Sequence, residues 1–278
     1  MNKVYYRYIA LCLFCIMQYG VAYTQVPNKE LEDSYYGLIG RADKAIEHGD
    51  WAGAEEYLLT ALSNEPQHPT NVMVMSNLGL VQYNLGRDSL ALETLSRAHA
   101  IAPRSVTILA NRAQVLEAMG RDSLAFADYS KVLALDSSVV EPLYAHAMIA
   151  LRLGYTDKAV ADCNRLQDVA ADSVQTHRAW ANVYSVKKQW LDAIPHFTAL
   201  IDAVPTAADY CGRAVCYLML NRLNEASADI STGLQLDPEN RELYFYRAYL
   251  NKARYRHDDA REDMRRALSV KKQPDVSF

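Results

Sequence analysis

The chain has 278 residues, half of them hydrophobic and 22% charged, with a formal net charge of −4. That much apolar material supports an ordered core and excludes a disordered polyelectrolyte, and a negative balance argues against a nucleic-acid binder. Only 11 Gly and 9 Pro are present, and Ala, Leu, Arg, Asp and Glu recur throughout, so the composition leans towards helices.

The N-terminus reads as a secretory signal peptide over residues 1–24. Lys3 and Arg7 precede the uncharged run IALCLFCIM at 9–17, and small residues follow at Gly20, Ala22 and Thr24. A positive start, a short apolar centre and small residues near a cut define such a signal, with cleavage expected after Ala22 or Thr24. The run is shorter than the roughly 20 residues a membrane span needs; an uncleaved anchor is the alternative. A linker follows over 25–34. The expected localisation is therefore export, to the periplasm or cell envelope, with bacterial export fitting best and a eukaryotic lumen left open. Cys12 and Cys15 sit inside the apolar centre, where a redox or metal role is disfavoured. Cys163, Cys211 and Cys216 remain in the mature chain. The last two are five apart on one expected helix, about 140° around its axis, so they do not bridge. All three are expected to be reduced and packed.

From residue 35 onward the chain repeats itself. The hexapeptide GRDSLA stands at 86–91 and again at 120–125. Aligning the copies places Ala91 over Ala125, and steps of about 34 reach Ala54, Ala159, Ala193, Ala226 and Ala260. A small residue stands twelve before each: Ala42, Gly79, Ala113, Ala147, Ala181, Ala214 and Ala248. Four after each alanine comes Leu58, Leu95, Tyr129, Cys163, Phe197, Ile230 or Met264, and three further on Ala61, Ala98, Val132, Leu166, Leu200, Gly233 or Ala267. Positions three and four apart share a helix face. Each unit is thus expected to be two helices joined by a short turn.

In the second unit Gly86 is expected to end the first helix in a left-handed conformation, and Asp88 to cap the next through its carboxylate. The paired small residues let the two helices approach closely, so a large residue at Gly79 or Ala91 should overpack the contact. Pro66, Pro103, Pro205 and Pro238 close four units, while Ser137, Ala171 and Lys272 stand there in the third, fourth and seventh. Pro195 falls near the fifth position of an expected helix, where it should remove a hydrogen bond and bend the helix.

These features resemble the tetratricopeptide repeat family, whose pattern is W-x2-L-G-x2-Y, then A-x3-F, then P over 34 residues. Asn77, Leu78 and Gly79 with Leu95 and Pro103 carry the likeness in the second unit. Trp180, Ala181 and Tyr184 with Phe197 and Pro205 carry it in the fifth, and Ala214 and Tyr217 with Pro238 in the sixth. The resemblance implies an all-α fold, a right-handed α-solenoid of about seven helix-turn-helix repeats behind the signal peptide. The repeats run over about 35–68, 72–105, 106–139, 140–173, 174–206, 207–240 and 241–272, leaving a tail at 273–278. A lone hairpin cannot bury its apolar stripe, whereas stacked neighbours share a core. The last helix, 258 to about 270, carries Arg261, Glu262, Asp263, Arg265 and Arg266 around its stripe and is expected to cap the stack without an extra helix.

In that family one side of the first helices lines a concave groove that holds peptides. Three before, one after and four after each small residue, this side reads Ile39 in the first repeat, Leu80 and Tyr83 in the second, and Gln114 in the third. It continues with Tyr144, Met148 and Leu151, then Arg178 and Asn182, then Val215 and Leu218, then Phe245 and Tyr249. The row is rich in large apolar residues and is the candidate partner-binding surface. The alternative is that these side chains pack against neighbouring repeats. Arg178 and Asn182 also match the first pair of the family's carboxylate clamp, but Gly212, Glu242 and Tyr246 leave it incomplete. No H-E-x-x-H, G-x-S-x-G or P-loop sequence is present, and His146 and His177 are expected to pack or meet solvent. Residues 241–272 hold ten Lys and Arg against five Asp and Glu, read as a solvated face. The expected function is a protein-interaction scaffold holding a peptide or helix of a protein partner. It has no catalytic residues, metal, cofactor, small-molecule substrate or nucleic-acid partner, and it meets a membrane only if the N-terminal segment is retained. An envelope assembly factor tethered by that segment, using its outer surface or basic end, is the alternative.

Overall fold

The computed structural model describes residues 33–269. The expected signal peptide, most of the linker and the tail lie outside the described residues. Within them are fourteen α-helices and no strand. The chain divides between Ser137 and Ser138 into two compact units. The first holds α1 (Tyr35–Glu47), α2 (Trp51–Asn64), α3 (Asn71–Asn84), α4 (Asp88–Ile101), α5 (Val106–Ala118) and α6 (Asp122–Leu135). The second holds α7 (Val140–Arg152), α8 (Thr156–Ala170), α9 (Val174–Val186), α10 (Trp190–Ala203), α11 (Ala207–Met219), α12 (Leu223–Leu236), α13 (Arg241–Ala253) and α14 (His257–Ser269). Consecutive helices pair into hairpins, and within each unit the hairpins stack on one another.

Five of the seven described first helices begin on side-chain caps. Ser34, Ser105, Ser173, Thr206 and Asn240 each accept a hydrogen bond from the backbone N–H three residues on, satisfying one of the donors a helix start leaves unpaired. The turn inside each hairpin is closed by a recurring pair of backbone bonds, to which the first hairpin adds the Asp50 side chain accepting from the Gly53 N–H. Gly86 has φ +73°; its N–H donates to the Tyr83 carbonyl and that of Arg87 to Gln82. This is the paired bonding of a Schellman turn. The same two bonds recur at Gly49, Gly120 and Gly154, and then at Lys188, Asn221 and Tyr255, which are forced into the left-handed region at φ +57° to +59°. An L side chain there costs roughly 1–2 kcal/mol, least for Asn. Lys188→Gly and Tyr255→Gly are therefore expected to stabilise the fold by about 0.5–1 kcal/mol each despite the flexibility glycine adds to the unfolded chain, read as a raised midpoint in chemical denaturation.

The turn also corrects one expectation. Arg87 and Arg121, not Asp88 and Asp122, occupy the N-cap positions, and neither makes a side-chain cap bond. The Schellman turn delivers the chain into the next helix one residue early, so each Asp is the first helical residue and meets the positive end of the helix dipole instead. The repeated GRDSLA is thus a turn and a packing contact joined: Gly for the turn, Asp for the helix start, Ala for the interface.

The alanine register is the spine of the packing. Ala54, Ala91, Ala125, Ala159, Ala193 and Ala226 are each 0% exposed, and the small residues twelve before all seven register alanines are buried. Gly79 shows how tight the contact is, since a Cβ there would lie 2.5 Å from Leu95 Cγ. Leu58, Leu95 and Ile230 fill the same position in their repeats and are fully buried, each worth about 2 kcal/mol in apolar burial. The three thiols are free and buried as expected, and burial pushes Cys163 and Cys211 up to about 12 and Cys216 up to about 11. Helix α10 runs unbroken from Trp190 to Ala203 through Pro195. The proline and Leu191, whose carbonyl loses its donor, are both exposed, where water can replace the missing bond.

The sequence reading missed a second register. The residue before the small position pairs with the residue three after the packing alanine, sixteen further along. Arg112 makes a two-pronged bond to Asp128 (2.7 and 2.9 Å), Arg213 to Asp229 (2.8 and 2.8 Å) and Arg247 to Asp263 (3.0 and 2.5 Å). In the fourth repeat His146 Nδ1 meets Asp162 at 2.5 Å. All four carboxylates are buried. They lock the two helices of a hairpin against each other in one orientation.

The end of the second unit departs from expectation. Ala260 is only partly covered, and Met264 and Leu268 of α14 are 36% and 69% exposed. The charges of α14 flank its apolar stripe but do not cover it, so among the described residues the stack is not capped.

Candidate functional site

Core packing leaves one side of the first helices as the candidate binding face, and the two units present it differently. In the first unit Ile39 is buried in the hydrophobic cluster around Leu58 and Leu78, with Leu80 packed against that cluster. Tyr83 packs against the cluster around Leu95, and Gln114 is half-buried. On α1, one residue after Ala42, stands Asp43, whose Oδ1 is buried without a hydrogen-bond partner. Burial, and then the charge of Glu47, raise its carboxyl to about 6. The folded state therefore holds this proton more tightly than the unfolded chain, so Asp43 works against folding at neutral pH. That penalty fades as pH falls through 6 towards 4. Asp43→Asn is expected to raise the melting temperature most at pH 7–8, with the gain shrinking to nothing near pH 4, as thermal melts across that range would show.

In the second unit the candidate residues meet one another across successive repeats. Asn182 Nδ2 donates to Met148 Sδ at 3.4 Å and to the Arg178 carbonyl at 3.0 Å. Arg178 forks onto Asp209 of the next repeat at 2.6 and 3.2 Å, and Thr206 donates to the same carboxylate at 2.7 Å. Asp209 is 0% exposed, which makes Arg178 a tie between α9 and α11 rather than a cation waiting for a carboxylate ligand. Met148 and Leu218 are buried. Tyr144 and Leu151 on α7 and Val215 on α11 are half-buried. Phe245 and Tyr249, one turn apart on α13, are 49% and 52% exposed.

An aromatic cluster sits at the fifth repeat, where the ion-pair register is replaced. Trp180 stacks on Tyr184 and on His196, and His196 Nδ1 lies 3.0 Å from His177 Nδ1. Burial, then the neighbouring His177, hold His196 below the usual histidine range, with Asp192 opposing. Among the described residues no group of three or more His, Cys, Asp or Glu is placed to hold a metal ion, and no helix is long and apolar enough to cross a membrane.

Comparison with known proteins accords with this geometry. A family model described as a tetratricopeptide repeat matches residues 39–106. Over 86 residues, 31% of this chain, the sequence is 31% identical to sperm-associated antigen 1 of Mus musculus, and the match spans 10% of that relative's length. A tetratricopeptide repeat protein of known structure from Parabacteroides merdae is 28% identical, with 87% of this chain and 95% of that one covered at a TM-score of 0.71. YrrB, described as a TPR protein with an unusual peptide-binding site, shares the fold at 16% identity and a TM-score of 0.52, over 65% of this chain and 93% of its own. Seven described helix hairpins in 34-residue register, packed through paired small residues, give this chain the fold of the tetratricopeptide repeat proteins it resembles, with residues 39–106 matching the repeat's family model.

Proposed function

We propose that the first-helix face of the second unit holds an extended peptide or a helix of a partner protein. The fold is that of a protein–protein interaction scaffold; the specific surface is our reading. One observation carries it: Tyr144 and Leu151 on α7 and Val215 on α11 are half-buried apolar residues on the first-helix face, on either side of α9, whose polar Arg178 and Asn182 are already tied to neighbouring repeats. Affinity there comes from burying apolar surface on a preformed wall, with little ordering cost to the scaffold. The peptide-binding site named for YrrB supports the class of guest. The chain uses no chemistry of its own in this reading, and export follows from Lys3, Arg7 and the apolar run at 9–17.

The test is capture from an envelope extract by the full chain and by Leu151→Ala/Val215→Ala, with circular dichroism confirming that the variant folds. Loss of at least one captured protein from the variant supports the surface; an unchanged set of captured proteins overturns it. The mass of the N-terminus separates free export from tethering. A chain starting after Ala22 or Thr24 means release, and a retained Met1 means an anchor.

A further inference from the structure

We propose that the C-terminal end of the second unit, built from α13 and α14, is a docking site for an acidic amphipathic helix of a partner protein. The site is distinct from the groove. Phe245 occupies the place in its repeat that Cys211 holds in the preceding one, and Met264 the place of Ile230. Cys211 and Ile230 are 4% and 0% exposed, because both lie in the cluster that α13 covers with Leu243 and Leu250. Their counterparts one repeat on are exposed, and Leu268 and Tyr249 are exposed beside them. The end face therefore presents the apolar relief that elsewhere in the molecule receives the first helix of the next repeat. Its natural occupant is a helix with apolar residues three and four apart.

Charge selects which helix. Lys252, Arg256, Arg261 and Arg265 are exposed on α13, on α14 and in the turn between them, with Glu242, Asp258 and Asp259 the fewer exposed acids there. Arg261 and Arg265 pair with Asp258 and Glu262 only as exposed neighbours on the same helix, contacts that a buried partner readily replaces. Across residues 241–269 there are eight Lys and Arg against five Asp and Glu. Two copies of this chain meeting end to end would bring like charges together, whereas a helix with Glu and Asp flanking its apolar stripe complements these cations.

A library of random helical 20-residue peptides displayed on phage and selected on the full chain tests this. Enriched peptides should carry net negative charge with apolar residues at three- and four-residue spacing. They should bind Met264→Lys/Leu268→Lys at least tenfold more weakly while binding Leu151→Ala/Val215→Ala unchanged. Leu268 is 69% exposed and Met264 36%, so circular dichroism checks that the variant keeps its fold, and Leu268→Lys alone, at the more exposed position, should also weaken binding. Three results overturn the proposal: no enrichment, enrichment of basic or extended sequences, or a dimer of the chain that the double lysine variant dissolves. Enriched peptides lost from the Leu151/Val215 variant instead would return the guest to the groove and refute the end face alone.

Discussion

Arg213→Ala is expected to cost about 3–5 kcal/mol of stability, the loss typical of a buried ion pair deprived of one partner, read as a lowered midpoint in urea denaturation. Arg213 and Asp229 have side-chain exposures of 16% and 7%, so removing the guanidinium leaves a carboxylate in the hairpin interior with neither counter-charge nor water. Its third arm reaches Thr198 of the preceding repeat at 3.0 Å, and that tie is lost too. The hydrogen bonds that Arg213 donates to Asp229 hold the guanidinium above its ordinary pKa. Arg213→Met/Asp229→Leu should recover most of the loss, since two apolar groups of similar volume leave nothing unpaired. As a contrast, Arg261→Ala breaks a pair whose members are 75% and 93% exposed and should leave the midpoint unmoved. If Arg213→Ala and Arg261→Ala behave alike, the pairs are decoration and not locks.

Gly79→Leu is the second large effect, a loss of about 3 kcal/mol at the upper end of core overpacking. The new Cβ would sit 2.5 Å from Leu95 Cγ and within 3.1 Å of both its methyls. Leu95 cannot retreat, because Ala91 and Val115 share its buried cluster. Leu95→Ala alone should cost about 2–5 kcal/mol for the cavity it leaves, but Gly79→Leu/Leu95→Ala should be less destabilised than the two single losses added together. Strict additivity in denaturation would contradict the packing of α3 on α4.

The legible parts of the molecule are those governed by steric rules local to the chain. Only small residues fit where two helix axes nearly touch, so the alanine register survives in the sequence as a bare spacing. Gly86 and Gly120 announce the turn because positive φ favours residues without a Cβ. Lys188 and Tyr255 occupy the same turn without that mark and could be found only by counting from the register. Asp88 was misplaced by one residue because a cap and a first-turn residue have the same composition and differ only in backbone angle. The ion-pair register had a signal: Arg112, Arg213 and Arg247 stand one before the small residue, and Asp128, Asp229 and Asp263 three after the alanine. Charges, however, read as surface until the fold shows which of them face each other.

The candidate site was legible in position but not in state. Ile39, Met148 and Leu218 lie where the periodicity puts them and are buried, because exposure on a first helix depends on the size of neighbours in the next repeat. Arg178 was paired by Asp209, a residue 31 further on. The end face was hidden for the same reason. Phe245 and Met264 are ordinary members of the repeat pattern, exposed only because no further hairpin follows them among the described residues.

The most direct measurement is site-specific photocrosslinking in the cells that make the protein. Benzoylphenylalanine would be placed at Leu151 or Val215 on the first helices, and at Leu191, 65% exposed on the outward side of α10. We predict a discrete crosslinked partner from positions 151 and 215 and none from 191. Adducts from 191 alone, or the same adducts from all three, would contradict a guest held on the first-helix face.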